Sequence, residues 1–203
     1  MKLKLLHALR TRRVIARLLE ASSEVKLEIG AGQKTGTNGW TTLDLWGADL
    51  SWDLTERLPF PDNSVAKIYS SHTLEHFWYS DLIRLLCDCR RILKPLGSIS
   101  VCVPDASIYV QGYIHAETFD RDRYFAWKPA VVPDSDARMD ILNYMVYMDG
   151  VHRYMFDGEN LQRVLSVAGF SSVRLREFDP ELDLEERRFE SIYAVGVKPC
   201  EAA

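Results

Sequence analysis

The strongest constraint on the fold lies between Ile29 and Thr41. Only eleven residues separate these positions, and four of them are glycine: Gly30, Gly32, Gly36 and Gly39. Apolar runs flank the segment, Val25-Lys26-Leu27-Glu28-Ile29 before it and Thr41-Thr42-Leu43-Asp44-Leu45 after it. A glycine inside a helix costs roughly 1 kcal/mol relative to alanine, so this segment holds at most one helical turn. Two strands joined by a glycine turn and an almost helix-free crossover are expected, the second parallel to the first. That pattern forms one edge of a nucleotide pocket in open α/β sheets. Glycine has no Cβ and tolerates positive φ, so the backbone there can approach a ligand closely.

Asp44, at the tip of the second strand, can accept hydrogen bonds from two ribose hydroxyls, which suggests an adenosine-containing cofactor. A dinucleotide requires Gly-x-Gly-x-x-Gly opening a helix whose N-terminus holds the pyrophosphate. Here Gly30-x-Gly32 is followed by Gln33, Lys34 and Thr35, without the third glycine. S-adenosylmethionine carries no pyrophosphate. It needs a glycine turn beneath its methionine part and a carboxylate for its ribose. A Gly-x-Gly alone is also consistent with an ordinary tight turn.

Downstream motifs narrow the choice. Asp53-Leu54-Thr55 leads to Leu58-Pro59-Phe60-Pro61-Asp62-Asn63-Ser64, then to Ile68-Tyr69-Ser70-Ser71-His72-Thr73-Leu74-Glu75-His76 and Arg91-Ile92-Leu93-Lys94-Pro95-Leu96-Gly97. In these blocks the chain resembles the class I S-adenosylmethionine-dependent methyltransferases of the type 11 kind. Val151-His152-Arg153-Tyr154-Met155-Phe156-Asp157, Leu165 to Phe170 and Glu190-Ser191-Ile192-Tyr193 resemble a branch linked to cell-surface polysaccharide biosynthesis. The resemblance covers roughly residues 25 to 199. It implies an α/β, Rossmann-like, mostly parallel seven-stranded sheet with an antiparallel last strand. It also implies S-adenosyl-L-methionine as cofactor. The family usually has glycine where Leu96 stands.

The expected layout is a leader helix over residues 1–22 and one domain over 23–203, with residues 106–150 as a substrate-cap insert. Strands are expected at Val25–Ile29, Thr41–Asp44, around Trp52-Asp53, at Ile68–Ser70 and at Ser98–Val103. Val173–Phe178 and Ser191–Val197 should close the sheet as an antiparallel pair. Ser80–Leu93 reads as a helix, with Leu82, Leu85, Leu86, Cys89, Ile92 and Leu93 at three- and four-residue spacing. Asp157 can cap another helix that reaches Ala168, with Gly169 as its stop.

Charge is unevenly placed. Residues 1–20 carry six basic side chains against Glu20, a net of +5, so the remainder of this −4 chain carries −9. A basic amphipathic leader can lie on an anionic membrane surface. It can equally pack on its own domain or on a second copy in a homodimer. No apolar run approaches a membrane span, and charges interrupt every apolar stretch near the N-terminus, unlike a secretory signal. Cys87 and Cys89 point to different helix faces, and no other spacing among the cysteines, Cys102 and Cys200 included, and the histidines fits a zinc site, so no metal is expected. The cysteines read as buried free thiols in a reducing cytoplasm, with the leader as a route to peripheral contact with the membrane's inner face. The acidic body, and the lack of an Asn/Asp-Pro-Pro-aromatic signature, argue against nucleic acid as substrate.

Candidate cofactor residues are Glu28, Gly30, Ala31, Gly32, Asp44, Leu45, Asp53, Leu54, Ser70 and Ser71. By the resemblance, Asp53 and Leu54 meet the adenine edge. Catalytic candidates are His72, His152 and Asp105. A hydroxyl acceptor benefits from a base near neutral pKa, and His72 directly follows the fourth strand, where the methyl group should lie. His152 follows the insert, and Asp105 ends the fifth strand, where it can bind a hydroxyl or cap a turn. His76 reads as orienting the local turn beside Glu75, while His7 and His115 suggest no role. The insert carries Tyr109, Tyr113, Phe119, Tyr124, Phe125, Trp127, Tyr144 and Tyr147, which suit either a wall for a sugar or a satellite core. The expected activity is methyl transfer to a small-molecule or glycan acceptor, with a sugar hydroxyl favoured. A non-catalytic, partner-binding relative and a nicotinamide-dependent oxidoreductase are the alternatives.

Overall fold

A computed structural model describes residues 2–125 and 137–200, with backbone only for residues 2–8. Trp127 lies outside the described residues, as do the side chains of Lys2, Lys4, Leu5, Leu6 and His7.

In chain order the elements are α1 (Lys2–Ala21), β1 (Lys26–Ile29), β2 (Trp40–Asp44), β3 (Leu50–Ser51), β4 (Val65–Ser71), α2 (Tyr79–Ile92), β5 (Leu93–Pro104), α3 (Ala106–Ile114), α4 (Arg121–Tyr124), α5 (Arg138–Tyr147), α6 (Gly158–Val167), β6 (Ser171–Leu175) and β7 (Ser191–Val197). Seven strands form one sheet in the order β3-β2-β1-β4-β5-β7-β6. β7 runs antiparallel to both of its neighbours, and the other ladders are parallel. This is the α/β sheet the motifs implied. The order reverses at β1 and β4, and ligands in open sheets bind beyond the carboxyl ends of strands at such a point.

The β1–β2 crossover has no helix. Side chains hold it instead. Asp49 Oδ2 accepts hydrogen bonds from the Gly36 and Thr42 backbone N–H groups at 2.9 and 3.0 Å. Burial raises the Asp49 pKa, but hydrogen bonds from Thr42 and Gly36 outweigh it and hold the carboxyl below its ordinary value. The third strand is Leu50–Ser51, two residues earlier than Trp52-Asp53, because Leu50 pairs with Leu43 and fills the core. β6 likewise starts earlier than the expected Val173–Phe178 and ends at Leu175.

α2 places Leu82, Leu85, Leu86, Cys89 and Ile92 on its buried face, as its period requires. Leu93 belongs to β5 rather than to α2. It pairs with Val65, and a register break follows before Lys67 meets Ser98. Within that break Leu96 takes φ +64 and is 70% exposed, a left-handed conformation that suits glycine better.

α1 packs on its own domain. Ile15 is buried in the main core, Thr11 Oγ1 donates to the Ser51 carbonyl at 3.0 Å, and the Arg12 guanidinium lies over the Trp52 ring. The insert builds its own small core from Tyr109, Phe125, Ile141, Tyr144 and Met145. Tyr144 stacks near Tyr109 and Phe125 with centroids 5.9 and 4.6 Å away. Tyr109, Phe125 and Tyr144 are therefore part of a satellite core, whereas Tyr113 and Tyr147 are exposed. All four cysteines are free, yet Cys200 is exposed and Cys87 is only partly covered, so the expectation of buried thiols holds only for Cys89 and Cys102.

Candidate active site

Two cavities open at the carboxyl end of the sheet. One, of about 320 Å³, is lined by Gly30, Gly32, Asp44, Leu45, Asp53, Leu54, His72, Thr73, His76 and Phe77. Six of these were read from sequence as cofactor residues. The other, of about 220 Å³, is lined by His72, Glu75, His76, Pro104, Met145, Met148, His152, Arg187 and Glu190. His72 and His76 border both.

The glycine turn explains the first cavity. Gly30 has φ +69, and a Cβ there would lie 2.1 Å from Thr73 Oγ1. Thr73 Oγ1 donates to the Gly30 carbonyl at 3.1 Å, so the turn and the end of β4 are locked together. Gly32 also has positive φ, but a Cβ there would meet open space. Its N–H donates to Asp44 Oδ2 at 2.8 Å, while Leu45 N–H donates to Oδ1. These two bonds aim the Asp44 carboxylate at the cavity, and each oxygen keeps acceptor capacity. Asp53 Oδ1 similarly accepts from the backbone N–H and the hydroxyl of Thr55.

Other expected cofactor residues lie elsewhere. Glu28 is buried on β1 and pairs with Lys34 at 2.5 Å, which pins the crossover from beneath. Ala31 is half-buried in the turn and does not line the cavity. Ser70 is fully buried within β4, and Ser71 contributes its carbonyl to Thr73 Oγ1 at 3.0 Å. Ser70 is covered on its face of the sheet, whereas Ser71, the last residue of β4, is part-buried. The cavity begins only where β4 ends, so Thr73 and Phe77 take the place expected for the serines.

His72 sits at that end with φ +48, a conformation a β-carbon-bearing residue rarely adopts. The Ser191 hydroxyl donates to the Arg187 carbonyl at 2.7 Å. Its oxygen can therefore only accept from His72 Nε2, 2.8 Å away. His72 thus carries its proton on Nε2 and a lone pair on Nδ1, which lies 3.8 Å from Glu75 Oε1. Burial, then the positive Arg187 and the neighbouring His152 and His76, press the His72 pKa down to about 3. The ring is neutral at physiological pH. Burial pushes the enclosed Glu75 carboxyl up to about 8.

His152 is buried, donates Nδ1–H to the Met145 carbonyl at 2.8 Å and stands 5.3 Å from the His76 ring by centroids. Burial holds its pKa below the usual histidine value. The chain on either side is docked by backbone: Arg153 and Tyr154 N–H both donate to the Glu75 carbonyl, at 2.7 and 3.1 Å. Antiparallel β7 brings its first residue, Ser191, to the edge where β4 ends, and the preceding turn supplies Arg187 and Glu190. Asp105 does not face the cavity. Its carboxylate caps α3 by accepting from Ser107 N–H at 2.9 Å. Glu75, Arg187 and Glu190 line the smaller cavity without being expected there, and His76, expected to orient the local turn, faces the Val151 carbonyl through Nδ1 and also borders both cavities. One available signal was Glu75's position between His72 and His76 at the tip of a strand.

The first cavity suits an adenosine with a cationic tail better than a dinucleotide. No lysine or arginine is among its lining residues, whereas two carboxylates are. No helix opens at the glycine turn to hold a pyrophosphate.

Comparison with known proteins agrees. Residues 31–101 match the family described as Methyltransferase domain. No curated relative matches the sequence. Among solved structures, an S-adenosylmethionine-dependent methyltransferase from Archaeoglobus fulgidus superposes with a TM-score of 0.52 at 16% identity, covering 93% of this chain and 94% of that one. A chain of the complex between the Haloferax volcanii Trm112 methyltransferase activator and a methyltransferase gives 0.51 at 16% identity, covering 97% and 96%. Phosphoethanolamine N-methyltransferase 2 from Haemonchus contortus, in complex with phosphomonomethylethanolamine and S-adenosylhomocysteine, gives 0.54 at 15% identity, covering 94% of this chain and 53% of that one. The fold is the Rossmann-like α/β fold of S-adenosylmethionine-dependent methyltransferases, and the family match supports S-adenosylmethionine as cofactor.

Proposed function

We propose that this protein transfers a methyl group from S-adenosylmethionine to a hydroxyl of a small molecule or glycan, with a sugar hydroxyl favoured. The observation that carries this reading is the junction of the two cavities at His72 and His76. One side suits a nucleoside and the other is a smaller chamber of histidines, carboxyls and methionines. When bound, the cofactor supplies a methyl group on a sulfonium, an electrophile that needs no further activation.

The chain's task is then positioning and exclusion of water. Gly30 and Gly32 let the backbone pass beneath the cofactor's tail, Asp44 accepts from the ribose, and Leu45, Leu54 and Phe77 cover its apolar faces. On the acceptor side, Met145 and Met148 keep the chamber apolar around the polar edge made by His72, Glu75 and His152. His72 is neutral with its lone pair on Nδ1, so it accepts a hydrogen bond from an acceptor hydroxyl and orients that oxygen. Because its pKa is held so low, it does not retain the proton, which must pass on to solvent.

Calorimetric titration with S-adenosylhomocysteine, with NADH as control, tests the cofactor half. Binding of the former alone supports the reading, and binding of NADH alone overturns it. A panel of nucleotide sugars and glycans, followed by methyl transfer, then tests the acceptor. His72→Ala should lower turnover on the responding acceptor by about 10²–10⁴-fold, the range for a lost acid–base group, with cofactor affinity near normal. A large loss of cofactor binding would refute that division of roles. A second reading is a chain that works only with a partner, and the Haloferax complex with an activator favours it. Inactivity despite tight S-adenosylhomocysteine binding would make that reading the leading one.

A further inference from the structure

We propose that Glu75, His76 and His152 bind one divalent transition-metal ion, with zinc as the reference case, at the wall of the smaller cavity. One ligand atom from each residue can be chosen so that all three lie within 4.8 Å of one another. Two nitrogens and one carboxylate oxygen are a donor set that such ions favour, and three protein ligands with a fourth position open typify reactive zinc sites.

The hydrogen bonding around the three residues supports an ion more directly than their proximity does. His76 Nδ1 faces the Val151 carbonyl at 3.1 Å, and His152 Nδ1 faces the Met145 carbonyl at 2.8 Å. A carbonyl only accepts, so both rings carry their proton on Nδ1 and present an Nε2 lone pair. Metal-binding histidines are oriented in this way, with the second ring nitrogen donating to a carbonyl or carboxylate. Glu75 is 2% exposed, and among the described residues its Oε2 has no hydrogen-bond partner. A buried carboxylate oxygen without a partner costs free energy, and a coordinated cation would satisfy it. The distance from His76 Nε2 to Glu75 Oε1 is 3.9 Å, too long for a hydrogen bond. Around a zinc ion at about 2.0–2.2 Å from each ligand, this pair would stand closer together by roughly half an ångström, and a pair at the 4.8 Å limit by somewhat more than one. His76 is exposed, so its ring has room to make that movement.

Backbone bonds fix the rest of the site. The Glu75 carbonyl accepts from both Arg153 and Tyr154 N–H, which ties the His152 segment to the Glu75-His76 segment regardless of any ion. Arg187 and Glu190 face the same cavity, and their opposite charges leave it without net repulsion for a cation. The open position points into the chamber. If acceptors enter there, which rests on the methyl-transfer reading, the ion would hold the acceptor oxygen and ease loss of its proton.

The test needs neither cofactor nor acceptor. Chelator-treated protein is titrated with Zn²⁺ alone by calorimetry, and with Co²⁺ followed by visible absorption. His76→Ala, Glu75→Gln and Cys200→Ser are measured beside the parent, with circular dichroism to establish that each is folded. Because His76 is exposed, its substitution keeps the test valid even where Glu75→Gln fails to fold. One equivalent bound, at least tenfold weaker in His76→Ala and in folded Glu75→Gln but unchanged in Cys200→Ser, supports the site. No binding to the parent overturns it, as does binding that survives His76→Ala undiminished. Metal binding without S-adenosylhomocysteine binding would uphold the site and overturn methyl transfer, so the two failures are distinguishable.

Discussion

The two cavities are built in opposite ways. The larger one draws on residues 30–77, a continuous stretch in which each strand tip lies beside the next. The smaller one gathers Glu75, Pro104, Met145, His152 and Arg187 from five separate segments. A ligand site made by consecutive strands needs only correct local pairing. A site made by distant segments needs the whole sheet, the insert and the β7 turn in place. The glycine turn is therefore sensitive to single backbone changes, while the smaller chamber is sensitive to the packing of the insert above it.

Gly30→Ala should break the first cavity outright. The new methyl meets Thr73 at 2.1 Å and the φ is +69, so overpacking of about 1–3 kcal/mol adds to backbone strain of about 1–3 kcal/mol. Gly32→Ala has the same sign of φ but open space, so only strain of about 1–2 kcal/mol is expected. Chemical denaturation of both variants separates the two causes, and equal losses would show that the contact with Thr73 is unimportant.

Tyr144→Ala tests the other side. Loss of this buried ring should cost about 3–5 kcal/mol, concentrated in the insert. Hydrogen exchange should show α3 and α5 opening, while S-adenosylhomocysteine affinity stays within a few-fold. A comparable fall in cofactor affinity would mean that the two cavities are not built independently.

Asp44→Ala should weaken S-adenosylhomocysteine by about 1–3 kcal/mol, since two ribose hydroxyls lose their acceptor. The Gly32 and Leu45 N–H groups also lose theirs, so some loss of stability should accompany it. Unchanged affinity would show that the cofactor lies elsewhere. The smallest effect is a gain: Leu96→Gly relieves the left-handed strain of an exposed side chain and should raise stability by about 0.5–1 kcal/mol. A thermal melt that shifts downward would show that Leu96 makes a useful contact.

The sequence alone determined the sheet, the helix-free crossover and six of the residues that line the larger cavity. Those features follow from local rules: glycine spacing limits helix, apolar period marks strands and helices, and an aspartate ending a strand falls at the sheet's edge. Element ends were less legible, as Leu93 and Leu50 show, because pairing partners rather than local propensity decided them. The burial of Ser70 in β4 was likewise hidden, since what packs over a sheet face is not written in residue spacing. Only the tertiary structure decided which aromatics of the insert pack on one another and that α1 rests on its own domain through Ile15. It also decided that His152 meets Glu75 and His76, some 75 residues away in the chain. That meeting depends on two backbone N–H groups finding the Glu75 carbonyl, a long-range hydrogen-bond choice between groups that every residue carries and no side-chain pattern announces.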